Sequence, residues 1–188
     1  PYTASYTGIG ILFPDWAKAP NDYETVVAER RDELAKHLRD RVNGRNGPAA
    51  TRFGTGELAG RTLAEVAAAR GVAFEDVLIE LGPGGPSAAY SVMDEHVMTW
   101  LLVDPYVAVS SDGSPTMLHP RGHGSFAKVI ARYVVEEGLL SLEDAVRKMS
   151  GLTAEIFRLD DSTVVDVPRG RVAPGFAADL VAFDPGEV

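Results

Sequence analysis

A carboxylate and a guanidinium nine residues apart are the residues of this chain whose types and spacing best suit chemistry. The carboxylate is Asp112, in the run Ser-Ser-Asp-Gly, and the guanidinium is Arg121, in the run His-Pro-Arg-Gly-His-Gly. An apolar run predicts a strand over 106–110, and apolar periodicity predicts a helix over 126–137. A carboxylate at the carboxyl end of a buried strand, before a loop and a helix, is where α/β barrels place catalytic groups. The sequence therefore predicts an enzyme.

Two interpretations of Asp112 follow from its surroundings. As a general base it would take the proton of a metal-bound water and later pass it to a leaving nitrogen. As a structural residue it would simply form a turn, because Asp-Gly is a common turn dipeptide. The nearby arginine and histidines favour the functional interpretation, since a plain turn does not require them.

Arg121 has a similar pair of interpretations. Its guanidinium could hold a substrate carboxylate through two parallel hydrogen bonds. It could instead be a surface arginine, or one that pairs structurally with Asp112. His119 and His123 flank it in a Pro- and Gly-rich segment that predicts a loop, so helical ligand spacing does not apply to them. We expect these two histidines to support the site from behind the residues that contact substrate.

The other histidines and loops of the chain favour structural roles. His37 and His96 lie in predicted helices and are typical of ordinary surface or core positions. No paired-histidine motif of the metallohydrolase kind is present. The Gly- and Pro-rich run 82–86 lacks the Lys-Ser/Thr ending of a phosphate loop, so it predicts a boundary between two parts of the chain.

Composition narrows the class of protein. The 188 residues carry a net charge of −9 and are 45% hydrophobic, so a sizeable core is possible in one domain or in one plus a small second one. An acidic chain without a basic run argues against nucleic acid or an anionic membrane as a partner. No apolar run is long enough to cross a bilayer, and no signal-peptide pattern is visible. Because the chain has no cysteine, it can form no disulfide and offer no thiolate ligand. We expect a cytoplasmic location.

Periodicity and capping signals predict the secondary structure. A long helix is expected over 21–42, with a capping box formed by Asn21 and Glu24. Thr62 and Glu65 predict a second capping box. The remaining predictions are helices over 74–81 and 94–102 and from Ser141, and strands over 49–53, 88–92, 106–110 and 178–183.

Several sequence runs together resemble the N-acyl-D-amino-acid deacylases (D-aminoacylases) of the amidohydrolase superfamily. Their order and spacing agree with the family from Met93 to the end of the chain. The stretch from Asp112 to Arg121 is the most specific, whereas the last run is shared by many amidohydrolases. The matching runs are Pro1-Tyr2-Thr3-Ala4, Val92-Met93-Asp94-Glu95, Ser110-Ser111-Asp112-Gly113, His119-Pro120-Arg121-Gly122, Glu136-Glu137-Gly138-Leu139-Leu140-Ser141-Leu142-Glu143 and Pro174-Gly175-Phe176-Ala177-Ala178-Asp179-Leu180-Val181.

The resemblance implies an α/β fold that contains part of a TIM-like (β/α) barrel. This chain would contribute the last strands and helices of the barrel, an insertion subdomain, and the C-terminal strands of a small β-sandwich. The expected division is the end of a barrel strand at 1–7, a mainly helical insertion at 8–86, the last barrel strand and helices at 87–158, and the sandwich strands at 159–188.

The resemblance also implies roles for particular residues. Asp112 would be the catalytic base at the metal and a candidate ligand of it, and Arg121 would bind the α-carboxylate of the substrate. Met93 would form a wall of the side-chain pocket. Tyr6 stands where the family usually has a serine that helps hold that carboxylate, which leaves substrate preference open. Tyr2, with His119 and His123, would support the site from behind.

The resemblance implies that zinc is the cofactor and that histidines and a cysteine upstream of this chain hold it. The substrate would be a small N-acyl-D-amino acid. The partner would be the N-terminal half of the same enzyme or a second chain, and an oligomer is possible. We expect this chain alone to be inactive.

Two alternatives remain open. The chain could be an inactive isolated fragment that acts as a structural or association module. It could also belong to another amidohydrolase, such as one resembling a dihydroorotase or hydantoinase. That last class shares the run 174–181 but does not account for the His-Pro-Arg run.

Overall fold

The chain folds as two units, and the computed structural model describes residues 2–113 and 119–188. The amino unit is Thr3–Met93, and the carboxy unit consists of Tyr2 and Asp94–Val188. No helix in these described stretches is both long enough and apolar enough to cross a membrane.

The amino unit is built on a three-stranded antiparallel sheet with the strand order β1–β3–β2. Tyr6 on the first strand lies opposite Ala89 on the third, and Thr51 on the second lies opposite Tyr90 on the third. Helices fill the connections between the strands. In chain order the elements are β1 Ala4–Gly8, α1 Tyr23–Asn43, β2 Thr51–Phe53, α2 Leu63–Arg70, α3 Phe74–Leu81 and β3 Ser87–Ser91.

Capping residues fix where the helices of this unit begin. The capping box predicted at α2 is confirmed: Glu65 N donates to Thr62 Oγ1 at 3.2 Å, and Thr62 N donates to Glu65 Oε2 at 2.7 Å. The box predicted at Asn21 is wrong by one residue. Asp22 is the cap of α1 and accepts a hydrogen bond from Thr25 N at 2.9 Å, since an aspartate there can reach the unpaired N–H groups of the first turn.

The core of the amino unit lies between α1, the sheet and α3. One stripe of α1 is completely buried at Leu34, Leu38 and Val42, four residues apart. It belongs to the same cluster as Val77 and Leu78 of α3. Burying each such leucine contributes roughly 2 kcal/mol. The amino unit therefore has a hydrophobic core of its own.

The regular elements of the carboxy unit, among the residues that the structure describes, are helices, and residues 158–184 form turns and irregular segments. A small cluster of buried residues (Leu102, Val109, Val129, Tyr133 and Ala145) forms its core. The helical segments in chain order are α4 Glu95–Val103, α5 Arg121–Lys128, the π-helical segment Val129–Glu136, α6 Leu142–Met149 and α7 Gly151–Phe157.

The strands predicted over 106–110 and 178–183 are not formed, so this part of the expected fold is corrected. The strands of the described chain all belong to the antiparallel sheet of the amino unit. A barrel strand is defined by hydrogen bonds to a neighbour on each side, and the described residues supply no such neighbours for these two segments. The α/β class holds, but a partial barrel is not confirmed.

The prediction of a loop around Arg121 is also corrected. The Pro- and Gly-rich run around Arg121 predicts a loop, yet the helix begins at Arg121 itself. Proline is compatible with the start of a helix, because the first N–H groups lack intrahelical partners in any case. His123 consequently lies in a helix, and the helical segment predicted from 126 begins earlier than expected.

Replacing tyrosine by phenylalanine should affect stability differently at two positions of the amino unit. The Tyr90 side chain is buried, and its hydroxyl has no hydrogen-bond partner among the described residues. Burial raises the pKa of Tyr90 to about 12. Tyr23 OH, in contrast, donates to Ile79 O at 2.8 Å. We expect Tyr90→Phe to leave the free energy of unfolding unchanged or to raise it by up to about 1 kcal/mol, and Tyr23→Phe to lower it by about 1 kcal/mol.

Urea unfolding of both variants tests these two predictions, and Tyr23→Phe is the control for the loss of a hydrogen-bonded tyrosine hydroxyl. A clear destabilisation by Tyr90→Phe would show that its hydroxyl is satisfied in solution.

Candidate active site

The backbone that leads to Asp112 is held by α6. Lys148 is buried, and its ammonium group donates to Asp104 O. Val109 N donates to Lys148 O at 3.1 Å, and Arg147 donates to another carbonyl of the same segment. Burial lowers the pKa of Lys148. These bonds replace the strand neighbours that this apolar segment lacks, and they fix the chain just before the acidic residue.

Asp112 and Arg121 form an ion pair, with 2.9 Å between Asp112 Oδ2 and Arg121 Nη2. The two partners differ in exposure: the Arg121 side chain is 12% exposed, whereas that of Asp112 is 82% exposed. Asp112 has a left-handed backbone with φ of 49°. Its carboxylate is therefore accessible to solvent and lies against a largely buried cation. The two side chains are therefore in contact, and the functional and structural roles predicted for them both stay predictions.

Two glycines allow this pair to form. A Cβ atom on Gly113 would lie 2.9 Å from the Cα of Gly122, closer than side chains approach backbone in real structures. Gly113 immediately follows Asp112, and Gly122 immediately follows Arg121. The backbones on either side of the ion pair thus come as close as glycine permits.

The first turn of α5 presents Arg121 and satisfies its own backbone donors. Arg121 N donates to Nδ1 of His119 at 3.1 Å. Gly122 N donates to His119 O at 3.0 Å, and Gly124 N donates to Pro120 O at 2.7 Å. Because the N-terminus of a helix carries partial positive charge, this position of the arginine adds to its attraction for an anion.

His119 is buried beside Arg121 and packs against Tyr2. The two rings meet edge to face, with 5.4 Å between centroids and an interplanar angle of 85°. Burial, and then the charge of Arg121, lower the pKa of His119. Lys128 Nζ lies 4.1 Å from the centroid of the Tyr2 ring, in cation–π geometry. Burial, and then the charge of Arg132, lower the pKa of Lys128.

The structure brings four of the predicted site residues together: Tyr2, Asp112, His119 and Arg121. Of the other three, Tyr6 and Met93 belong to the amino unit, and His123 lies on α5. His123 is exposed on α5. Met93 is 45% exposed at the end of the amino unit.

Tyr6 belongs to the sheet of the amino unit. Its ring lies over Gly54, where an added Cβ would come within 2.5 Å of the ring. Gly54 therefore gives the bulky side chain room within its own unit. The roles predicted for Tyr6 and Met93 in substrate binding stay predictions.

The described residues form no group of three or more His, Cys, Asp or Glu side chains that could hold a metal ion. Asp112 is an exposed carboxylate and offers the kind of oxygen that zinc accepts, but one carboxylate does not make a site. A metal at this position would need ligands from other residues. Metal ligation by Asp112 stays a prediction.

Sequence reasoning missed two features of the site. On α6 the apolar Val146 is 40% exposed, whereas Ala145 and the charged Lys148 are buried. A lysine gives no sequence signal of burial. The bond from Arg121 N to the His119 ring was also missed, although a histidine two residues before a helix start is a position from which a side chain can reach the first N–H groups.

The environment of His119 predicts a pH dependence of stability. Its pKa in the folded protein lies below the ordinary value of 6.5, so the unfolded chain binds more protons below pH 6.5. We expect the stability of the wild-type protein to fall as the pH falls from about 6.5 towards the lowered pKa of His119. The effect should be absent from His119→Asn, which cannot be protonated.

Urea unfolding of both proteins between pH 5 and 8 measures this, because the other three histidines are common to both. A wild-type minus variant difference that does not change with pH, or that grows in acid, would contradict the expectation.

Comparison with known proteins identifies relatives along most of the chain, although no family model matches it. D-aminoacylase of Alcaligenes xylosoxydans xylosoxydans is 44% identical over 134 residues, which are 70% of this chain and 26% of that enzyme. N-acyl-D-glutamate deacylase of the same organism is 42% identical over 130 residues, 68% of this chain and 25% of that enzyme. The chain thus spans about a quarter of the length of these curated relatives.

Solved structures agree with the sequence relatives. A D-aminoacylase described as defining a novel subset of amidohydrolases matches with a TM-score of 0.62 and 41% identity, over 72% of this chain and 28% of that one. The N-acyl-D-glutamate deacylase of Bordetella bronchiseptica, complexed with zinc and a phosphonate mimic of the tetrahedral intermediate, matches with a TM-score of 0.68 and 30% identity, over 98% of this chain and 32% of that one. This chain is therefore a homologue of part of the D-aminoacylases and the other N-acyl-D-amino-acid deacylases, a subset of the amidohydrolases.

Proposed function

We propose that this chain is the C-terminal portion of a zinc-dependent deacylase that hydrolyses N-acyl-D-amino acids to a carboxylate and a free D-amino acid. The observation that carries the proposal is the contact between Asp112 and Arg121. It joins an exposed carboxylate to a largely buried guanidinium in the segment most specific to the deacylases. The chain would supply the proton-transferring group and the substrate clamp.

The spacing of these two groups suits an N-acyl amino acid. In such a substrate the α-carboxylate carbon and the amide nitrogen are bonded to the same Cα, so they lie about 2.5 Å apart. A carboxylate held by Arg121 would bring the amide nitrogen close to Asp112, which is in ion-pair contact with the same guanidinium. The geometry therefore favours a clamp on the amino-acid side of the scissile bond.

Asp112 would act as the general base and then as the general acid. It would take a proton from the attacking water and deliver it to the departing nitrogen, which leaves as an amine. A zinc ion, when bound, supplies Lewis-acid polarisation and an activated water in such enzymes. Zinc is present in the deacylase of Bordetella bronchiseptica, and Asp112 is the residue of this chain that we propose to lie next to it.

Arg121 would orient the substrate. A guanidinium has five N–H donors, so it can hold the Asp112 carboxylate and a substrate carboxylate together. Binding at the carboxylate would then be converted into correct placement of the amide. Tyr6, where the family usually has a serine that helps hold the substrate carboxylate, and Met93 stay predicted substrate-binding residues.

The carboxy unit exposes several large apolar side chains, which supports the proposal that further protein covers them. Large exposed apolar patches commonly mark surfaces that another protein segment covers. We infer that the rest of the enzyme, as further sequence or as a second chain, covers them and pairs with 106–110 and 178–183 to complete the barrel and the sandwich. The side chains are Trp100, Leu101, Tyr106, Phe157, Leu180 and Val181.

The same exposed surface favours the second candidate, an inactive fragment that serves as an association module. Mass and metal content of one sample separate the two. A zinc-containing preparation with a second or longer polypeptide supports the enzyme. A self-associated 20.1 kDa species without metal supports the module. The relatives reported above are deacylases, which disfavours a dihydroorotase- or hydantoinase-like activity.

Replacing Asp112 tests its role as the base. In the full-length, zinc-loaded protein we expect Asp112→Asn to lower kcat for N-acetyl-D-amino acids by about 10³-fold, because general acid–base catalysis typically contributes 10²- to 10⁴-fold. Zinc content should stay near that of the wild type. Asp166→Asn, which changes an exposed aspartate of the same unit, is the control and should keep full activity. Undiminished turnover by the Asp112 variant would remove this residue from the mechanism.

Replacing Arg121 tests the clamp. We expect Arg121→Ala to raise KM for N-acyl-D-amino acids by about 10²-fold and to change KM little for the matching carboxamides, which lack the charge that it binds. Arg132→Ala is the matched control, since Arg132 pairs with Glu95 and Glu137. Steady-state kinetics on both substrates measure the effect. Equal losses on the acid and the amide would show that Arg121 is no carboxylate clamp.

A further inference from the structure

The start of α5 depends on a side chain rather than on backbone acceptors alone. The first N–H of a helix has no partner within the helix, and here the N–H of Arg121 donates to His119 Nδ1 at 3.1 Å. The next donor, Gly122 N, reaches His119 O at 3.0 Å. His119 thus fixes the first two backbone donors of α5, one with its ring and one with its carbonyl.

The orientation of the His119 ring is itself fixed. The residue is only 7% exposed, and the ring of Tyr2 meets it edge to face. Tyr2 can come this close to α5 because Gly124 has no side chain: a Cβ there would lie 3.0 Å from the tyrosine hydroxyl. Lys128 Nζ lies over the face of Tyr2 at 4.1 Å. The imidazole is therefore packed so that Nδ1 faces the helix start.

We propose that His119 is a positioning residue for substrate binding: its Nδ1 accepts the Arg121 N–H and thereby aims the Arg121 guanidinium at the substrate carboxylate, while Tyr2 holds the imidazole in place. This inference rests on the proposed function, in which Arg121 binds that carboxylate. The residue acts on the reaction through Arg121 and need not touch the substrate.

The mechanical basis is the length of the arginine side chain. A rotation of about 10° at the Cα of Arg121 moves the guanidinium by about 1 Å, which is enough to spoil a two-pronged carboxylate contact. The other end of the side chain is paired with Asp112, which is mostly exposed. At the base of the side chain, the hydrogen bond from Arg121 N to His119 Nδ1 fixes the backbone and so helps to set the direction of the guanidinium.

Two substitutions separate an acceptor at Nδ1 from mere bulk. In His119→Asn the amide oxygen can occupy the position of Nδ1, whereas in His119→Gln it reaches towards the position of Nε2. Both variants are neutral and polar. In the full-length, zinc-loaded protein we expect the Asn variant to keep KM for N-acetyl-D-amino acids within about threefold of wild type. We expect the Gln variant to raise it about tenfold, with kcat and the KM for the carboxamide little changed.

Hydrogen exchange supplies a readout that does not depend on activity. The amide of Arg121 should be protected in the wild type and in His119→Asn and should exchange faster in His119→Gln. Unchanged exchange of the α6 amides in all three proteins shows that the fold is kept. Protection of Arg121 that is equal in the Asn and Gln variants would overturn the proposal.

A double variant isolates the route of the effect. If His119 acts through Arg121, then His119→Gln should change KM no further once Arg121→Ala is present. Additive effects would overturn the positioning role. A selective KM defect in Arg121→Ala, together with equal kinetics of the Asn and Gln variants, also overturns it but leaves the proposed function intact. Absence of the selective defect in Arg121→Ala overturns the proposed function itself.

Discussion

The carboxy unit is organised around a largely buried positive charge. The Arg121 guanidinium is 12% exposed and is paired with Asp112 at 2.9 Å. A cation taken out of water costs free energy unless a counter-charge or strong hydrogen bonds replace its hydration, so the local fold must bring an anion to it. The loop of Asp112 does this from the solvent side. Removing the carboxylate would leave the guanidinium with less compensation, whereas the exposed carboxylate alone would lose little.

That requirement explains the glycines and the hydrogen bonds near the pair. The close approach of Gly113 to Gly122 lets the two backbones meet, and α6 holds the segment before Asp112 through Lys148. His119 holds the other side through the helix start. Each device acts on the backbone next to a charged residue. The hydrogen bonds thus fix the backbone on both sides of the ion pair.

The sequence foretold the parts of this arrangement that depend on local chemistry. The Thr62 and Glu65 box, the helix over 74–81 and the nearness of Asp112 to Arg121 follow from residue types a few positions apart. The predictions of strands over 106–110 and 178–183 were wrong, because a strand is defined by its hydrogen-bonded neighbours and not by its own apolar pattern. The burial of Lys148 was not predicted for a related reason, because the face of α6 that turns inward depends on what packs against the helix.

The two units differ in how much of their apolar surface they bury. The amino unit buries continuous stripes of α1 and α3 against its sheet. The carboxy unit has a much smaller buried cluster, and Tyr106 at the start of the unformed strand is 83% exposed. An apolar segment with open backbone groups gains both hydrogen bonds and burial when a strand is laid beside it. The matched region is about a quarter of the length of the relatives. Asp112 follows this segment two residues later, so a strand laid beside the segment would also hold the backbone next to the Asp112–Arg121 pair more firmly.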